Sequence, residues 1–174
     1  MNSMNKIIMW VLLLSSCIAV ASCDIEDYRM EKYSKESLAN SVWTGGLSQS
    51  CECTIDGVNA NKSFIDISKG ADGNHVIISI AVSRDIGDWT ITADGIKLSG
   101  TVYDVSFDQN AKVAFTNLGK TGEDYEVDAK VVGHLKNHTY TKSTYTPIIV
   151  GDITYDWTKD GRAHSIRIKM TDPR

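Results

Sequence analysis

The sequence predicts an all-β domain over residues 41–174, a single antiparallel barrel of about eight to ten strands, with a sandwich of two sheets as the alternative. Three observations lead there. Apolar and polar residues alternate with period two in segment after segment, as they do on a strand with one buried face. Asp-Gly, which suits the positive φ of tight hairpin turns, recurs between these segments at Asp56-Gly57, Asp72-Gly73, Asp94-Gly95 and Asp160-Gly161. No stretch after residue 42 carries a convincing helical period.

The N-terminus is built differently. Lys6 precedes an apolar run from Ile7 to Leu14, continued by Ile18 to Val20, and small residues then lead into a cysteine, the order of an export signal. The run is too short for a bilayer-spanning helix, which needs about 20 residues. Val20-Ala21-Ser22-Cys23 resembles the lipobox of bacterial lipoproteins. That resemblance implies that Cys23 is acylated, becomes the first residue of the mature chain and anchors it to a membrane. Leu14-Ser15-Ser16-Cys17 fits the pattern more loosely, but more of the apolar run follows it, whereas Asp24-Ile25-Glu26-Asp27 after Cys23 is a polar mature start. Those acids also resemble the surface-export signal of Bacteroidota lipoproteins, which implies the outer membrane and exposure at the cell surface. Residues 1–22 are thus read as a lipoprotein signal peptide, and 23–40 as a lipidated N-terminus and polar tether.

Cleavage before Cys23 leaves about 150 residues, enough for one domain with a real core. It removes one lysine and no acid, so the mature chain is slightly more acidic than the formal −4 of the whole. A mildly acidic chain without clustered basic residues argues against nucleic acid as a partner.

The first strand is expected from Trp43 to Ile55, with Trp43, Leu47, Cys51, Cys53 and Ile55 on the buried parity. Ser63 to Ser68 is a shorter candidate. Val76, Ile78, Ile80 and Val82 alternate against His75, Ser79 and Ser83, and Asp88 to Ala93 follows. Between Ile96 and Phe107 the apolar parity slips, which suggests a β-bulge or a strand crossing a barrel corner. Lys112 to Asn117 is short. Then come Tyr125, Val127, Ala129, Val131; Ile149, Ile153, Tyr155, Trp157; and His164, Ile166, Ile168, Met170, each row opposite a polar one.

Leu38-Ala39-Asn40-Ser41-Val42-Trp43-Thr44-Gly45 resembles the approach to the first strand in lipocalin-like or calycin-like barrels of Bacteroidota lipoproteins, with Ser41 where the lipocalin pattern has glycine. The resemblance implies a tryptophan, Trp43, in the barrel floor.

Candidate chemistry is sparse. On one strand Cys51 and Cys53 point the same way, about 6.5 to 7 Å apart, which is too far for an unstrained disulfide. Buried free thiols, a bridge formed at a bulge, and a redox or metal role all remain open for them. His134 and His138 have the spacing of a zinc motif, but Leu135 stands where zinc proteases need glutamate, and parity puts His134 outside. His164 shares parity with Ile166 and Ile168 and faces inward as a histidine held by a hydrogen bond. No catalytic frame, metal set or cofactor motif emerges. The expectation is therefore a non-catalytic envelope lipoprotein whose barrel binds a small apolar ligand or an envelope partner, with Trp43, Trp89, Tyr103, Tyr125 and Trp157 as candidate binding aromatics. The alternative is an accessory module that binds glycan or protein through exposed aromatics.

Overall fold

The computed structural model describes Trp43 and residues 45–84, 87–101, 103–118, 123–137 and 148–172. The signal, Cys17, Cys23, the tether and His138 lie outside them. The described strands are β1 (Gly45–Ser50), β2 (Glu52–Ile55), β3 (Val58–Asn59), β4 (Lys62–Lys69), β5 (Val76–Arg84), β6 (Gly87–Ile96), β7 (Ser99–Gly100), β8 (Asp104–Asn117), β9 (Tyr125–Asn137), β10 (Ile149–Lys159) and β11 (Arg162–Met170).

They form one antiparallel sheet in the order β1-β4-β5-β6-β8-β9-β10-β11-β2-β3, with β7 beside β8. Its first strand, β1, and the strand beside its last, β2, are consecutive in the chain. β1 pairs with β4 and β2 pairs with β11, and only Cys51 separates β1 from β2. The expected first strand is therefore one strand bent at Cys51, and the bend joins the two sheet ends so that the sheet curls into a barrel. At the bend, the Cys51 N–H donates to the Ser63 carbonyl (3.1 Å) and the Ser63 hydroxyl donates to the Cys51 carbonyl (2.5 Å). Past the end of β11, the Gln49 amide donates to the Ile149 carbonyl (2.8 Å) and accepts from the Ile149 N–H (3.1 Å), so a side chain continues the strand pairing.

Counting β1 and β2 as one, eight long strands run around the ring, each beside its neighbours in sequence. This up-and-down order follows from short connections, since adjacent segments joined by tight turns pair antiparallel. The Asp160-Gly161 turn, with φ of 51° and 73°, and the Asp56-Gly57 turn, with 51° and 78°, have the two successive positive φ angles of a type I′ hairpin.

The inward parity holds. Ile65, Ile67, Val76, Ile78, Ile80, Ile91, Val131, Ile153, Ile166 and Ile168 are buried and belong to one apolar cluster. β-Branched residues dominate it because they fit the pleated, half-buried surface of a strand. An eight-stranded ring is about wide enough for side chains to fill.

Two expectations change. Asp94-Gly95 is not a hairpin turn; it lies inside β6, where Val76 pairs with Ile96 but Ile78 with Ala93, so one extra residue bulges at Gly95 (φ 74°). Gln109 holds the bulge through the Gly95 carbonyl (2.9 Å) and the Lys97 N–H (3.0 Å), and His75 bridges it to the β4–β5 turn by contacts to Asp94 (2.9 Å) and Asp72 (2.6 Å). The parity slip expected between Ile96 and Phe107 consequently begins at this bulge. The chain then reverses after β7, and the separate candidate at Lys112–Asn117 is the end of the continuous β8, whose 14 residues keep odd positions inward.

Candidate functional site

Trp89, Tyr125 and Trp157 meet at one mouth of the barrel. They line a half-open cleft of about 200 Å³ together with Ile55, Asp56, Arg84, Ile91, Phe115, Lys159 and His164. Seven strand ends supply these residues, because in an antiparallel ring the ends of some strands lie beside the starts of their neighbours. A wider depression of about 590 Å³ lies across β8, β9 and β10. It is lined largely by outward residues such as Asp108, His134 and Asp152, and it lacks a cluster of rings.

The mouth aromatics form a connected set. Phe115 and Tyr125 stack at 4.6 Å with 8° between planes, Trp89 meets Tyr125 edge-on at 6.1 Å, and Phe115 lies 5.3 Å from Trp157. His164 stacks on Trp157 at 5.3 Å. Such pairs hold their rings in defined orientations, each contributing about 0.5–1.5 kcal/mol beyond burial. The Lys159 ammonium sits 3.8 Å over the Tyr125 ring. Burial, and then the negative charge of Asp56, push the Tyr125 phenol above its ordinary range, so the ring stays neutral.

Asp56 and His164 make the polar rim. The His164 Nδ1 lies 2.9 Å from the Asp56 carboxylate, which also accepts the Ser165 N–H at 2.8 Å. A carboxylate only accepts, so the imidazole carries its proton on Nδ1. Partial burial opposes ionisation of Asp56, but the bonds from His164 and Ser165 and the charges of His164 and Arg84 outweigh it and hold the carboxyl below its usual value. An imidazole oriented by a carboxylate resembles a base-and-orienter pair. Among the described residues, no serine, threonine or cysteine lines this cleft.

The other expected residues sit elsewhere. Trp43 is fully buried in the core, just before β1 and so towards the opposite end of the barrel from the cleft. Tyr103 is 44% exposed in the β7–β8 turn and does not line the cleft. Its odd parity with Val105 and Phe107 belongs to the chain reversal there. Cys51, partly exposed, and Cys53, buried, are free thiols. Burial raises both, and the neighbouring Cys51 adds to the effect on Cys53, which reaches about 12. His134 is on the outer face with its Nε2 2.6 Å from Asp104, as parity requires.

Phe115, Asp56, Arg84 and Lys159 were not legible as site residues. Phe115 sits near the end of a short strand candidate and Asp56 reads as turn geometry, while no pattern in the sequence singles out Arg84 or Lys159. Inside the barrel, the Tyr155 hydroxyl and the Trp157 indole nitrogen are buried without a hydrogen-bond partner among the described residues. Compared with known proteins, the chain matches no family model, no curated protein and no solved structure, so what it shows of itself is an antiparallel barrel with an aromatic mouth.

Proposed function

We propose that this protein is a non-catalytic binding protein, exported and held on the outer membrane by an acylated Cys23, which takes a small, largely apolar ring in the mouth of its barrel. The observation that carries the reading is the convergence of Trp89, Phe115, Tyr125 and Trp157 on one cleft of about 200 Å³. An apolar cavity of roughly 150 Å³ suffices for benzene, so this one suits a single ring rather than a long chain. The cleft is below the roughly 300–1,000 Å³ of sites for drug-sized ligands, which also argues for a small ligand. The up-and-down ring supports the likeness to lipocalin-like barrels, and Trp89, Phe115, Tyr125 and Trp157 line the cleft.

Full-length protein in phospholipid nanodiscs, titrated with benzamide as a neutral ring probe, should show a saturable change in tryptophan fluorescence that empty nanodiscs lack. Trp89→Leu with Tyr125→Leu should abolish it. Saturation that survives the double variant would place the ring elsewhere and refute the reading. Cells fed an acyl-chain analogue should label the protein, and Cys23→Ala should remove the label; transfer of that loss to Cys17→Ala would move the anchor.

A further inference from the structure

The cationic groups at the mouth are not matched by the anions there. Arg84 and Lys159 both line the cleft, and Asp56 is the only carboxylate among the described residues that line it. Asp56 is engaged by His164 and by the Ser165 N–H. Lys159 lies over the face of Tyr125, which carries no formal charge. Arg84 lies at the end of β5, half-buried beside the aromatic wall, and pairs with no carboxylate among the described residues. A guanidinium presents a rigid fork of donors that fits a carboxylate in two parallel hydrogen bonds, and partial burial strengthens such a pair. Trp157 borders the cleft with its ring, and among the described residues its buried indole N–H has no acceptor.

We propose that the cleft is selective for a ring-bearing carboxylate, with the ring against Trp89, Phe115, Tyr125 and Trp157 and the carboxylate on Arg84, with Lys159 contributing long-range attraction. This rests on the proposed ring-binding reading and names the ligand class of that same site. Neutral rings gain only the aromatic contacts. Acids gain those and a charge-assisted pair, while an acidic chain without a ring gains the pair alone.

Ligand-detected NMR titrations of the full-length protein in nanodiscs test it with three probes: benzoate, benzamide and acetate. Benzoate should bind with a dissociation constant on the order of millimolar, as its few heavy atoms allow. Benzamide and acetate should each bind at least about tenfold more weakly, the loss expected for one charge-assisted pair or one ring. Arg84→Gln, with an unchanged thermal melt, should weaken benzoate about tenfold and leave benzamide within about twofold. Equal binding of benzoate and benzamide, both indifferent to Arg84→Gln, would overturn the acid preference while leaving ring binding intact. Absence of binding by both ring probes would overturn the two readings together, and equal binding of acetate and benzoate would reduce the site to an anion site without a ring.

Discussion

Gly133 faces Phe107 directly across the β8–β9 pairing, and the consequence of filling it can be worked from the coordinates. A Cβ added at Gly133 would lie 2.6 and 2.7 Å from the Phe107 Cε2 and Cε1 atoms, and closer still to Cζ. Carbon atoms are comfortable at about 3.5–4.0 Å, so the ring would have to withdraw by roughly 1 Å. Phe107 is only 4% exposed and is packed in the core cluster, which leaves it little room to swing aside. Overpacking of this kind costs about 1–3 kcal/mol. Replacing glycine also restricts the unfolded chain and returns about 0.4–1 kcal/mol. Gly133→Ala should therefore destabilise the domain by about 1–2 kcal/mol. In a Phe107→Leu background the clash is gone, and the same change should be neutral or slightly stabilising. Urea unfolding of the chain lacking residues 1–23, run on the two single variants and the double, measures a coupling expected at about 1.5–2 kcal/mol. If the cost of Gly133→Ala is the same in both backgrounds to within about 0.5 kcal/mol, the Phe107 ring is not the reason for glycine here.

Three further outcomes are expected. Leu47→Asp buries a charge at a position 4% exposed and should cost several kcal/mol, while Ser48→Lys, exposed and opposite Asp66, should change stability by no more than about 0.5 kcal/mol; equal losses in thermal melts would mean that β1 does not present one face to the core. Asp56 has a lowered folded-state value, so its ionised form contributes stability that is present above the unfolded carboxyl value of about 3.9 and is lost as pH falls through the folded one. The deficit of Asp56→Asn at neutral pH should accordingly shrink below about pH 4, and a deficit unchanged across that range would show that charge is not what Asp56 supplies. Cys53 is raised from 9.0 to about 12, so stability from its neutral thiol is complete below about pH 9 and is lost between that and about 12, as unfolded chains ionise first. At pH 8 Cys53 should resist iodoacetamide in the native state and react in urea; its rapid native alkylation would contradict its burial.

Much of the barrel was legible because a strand with one buried face writes its orientation into the chain at period two. Ile78 and Ile80 on either side of Ser79, or Ile166 and Ile168 on either side of Arg167, carry that information locally, and the turn residues at Asp160-Gly161 carry theirs in two positions. Asp94-Gly95 shows the limit of such reading. The same dipeptide closes a hairpin after β10 and makes a bulge in β6, because β5 continues past the bulge to keep pairing with β6 on its far side.

What the sequence determined by itself was the kind of element and the face each element buries, both properties of near neighbours. Closure of the ring was decided only in three dimensions, by a bend at Cys51 that lets one strand pair with β4 on one side and β11 on the other. The mouth was decided there too. Asp56 meets His164 across 108 positions of sequence, and Trp89 meets Tyr125 because β6 and β9 both flank β8. A cleft of this kind is a relation among strand ends, and no periodicity within a strand records which other ends the closed sheet will bring to it.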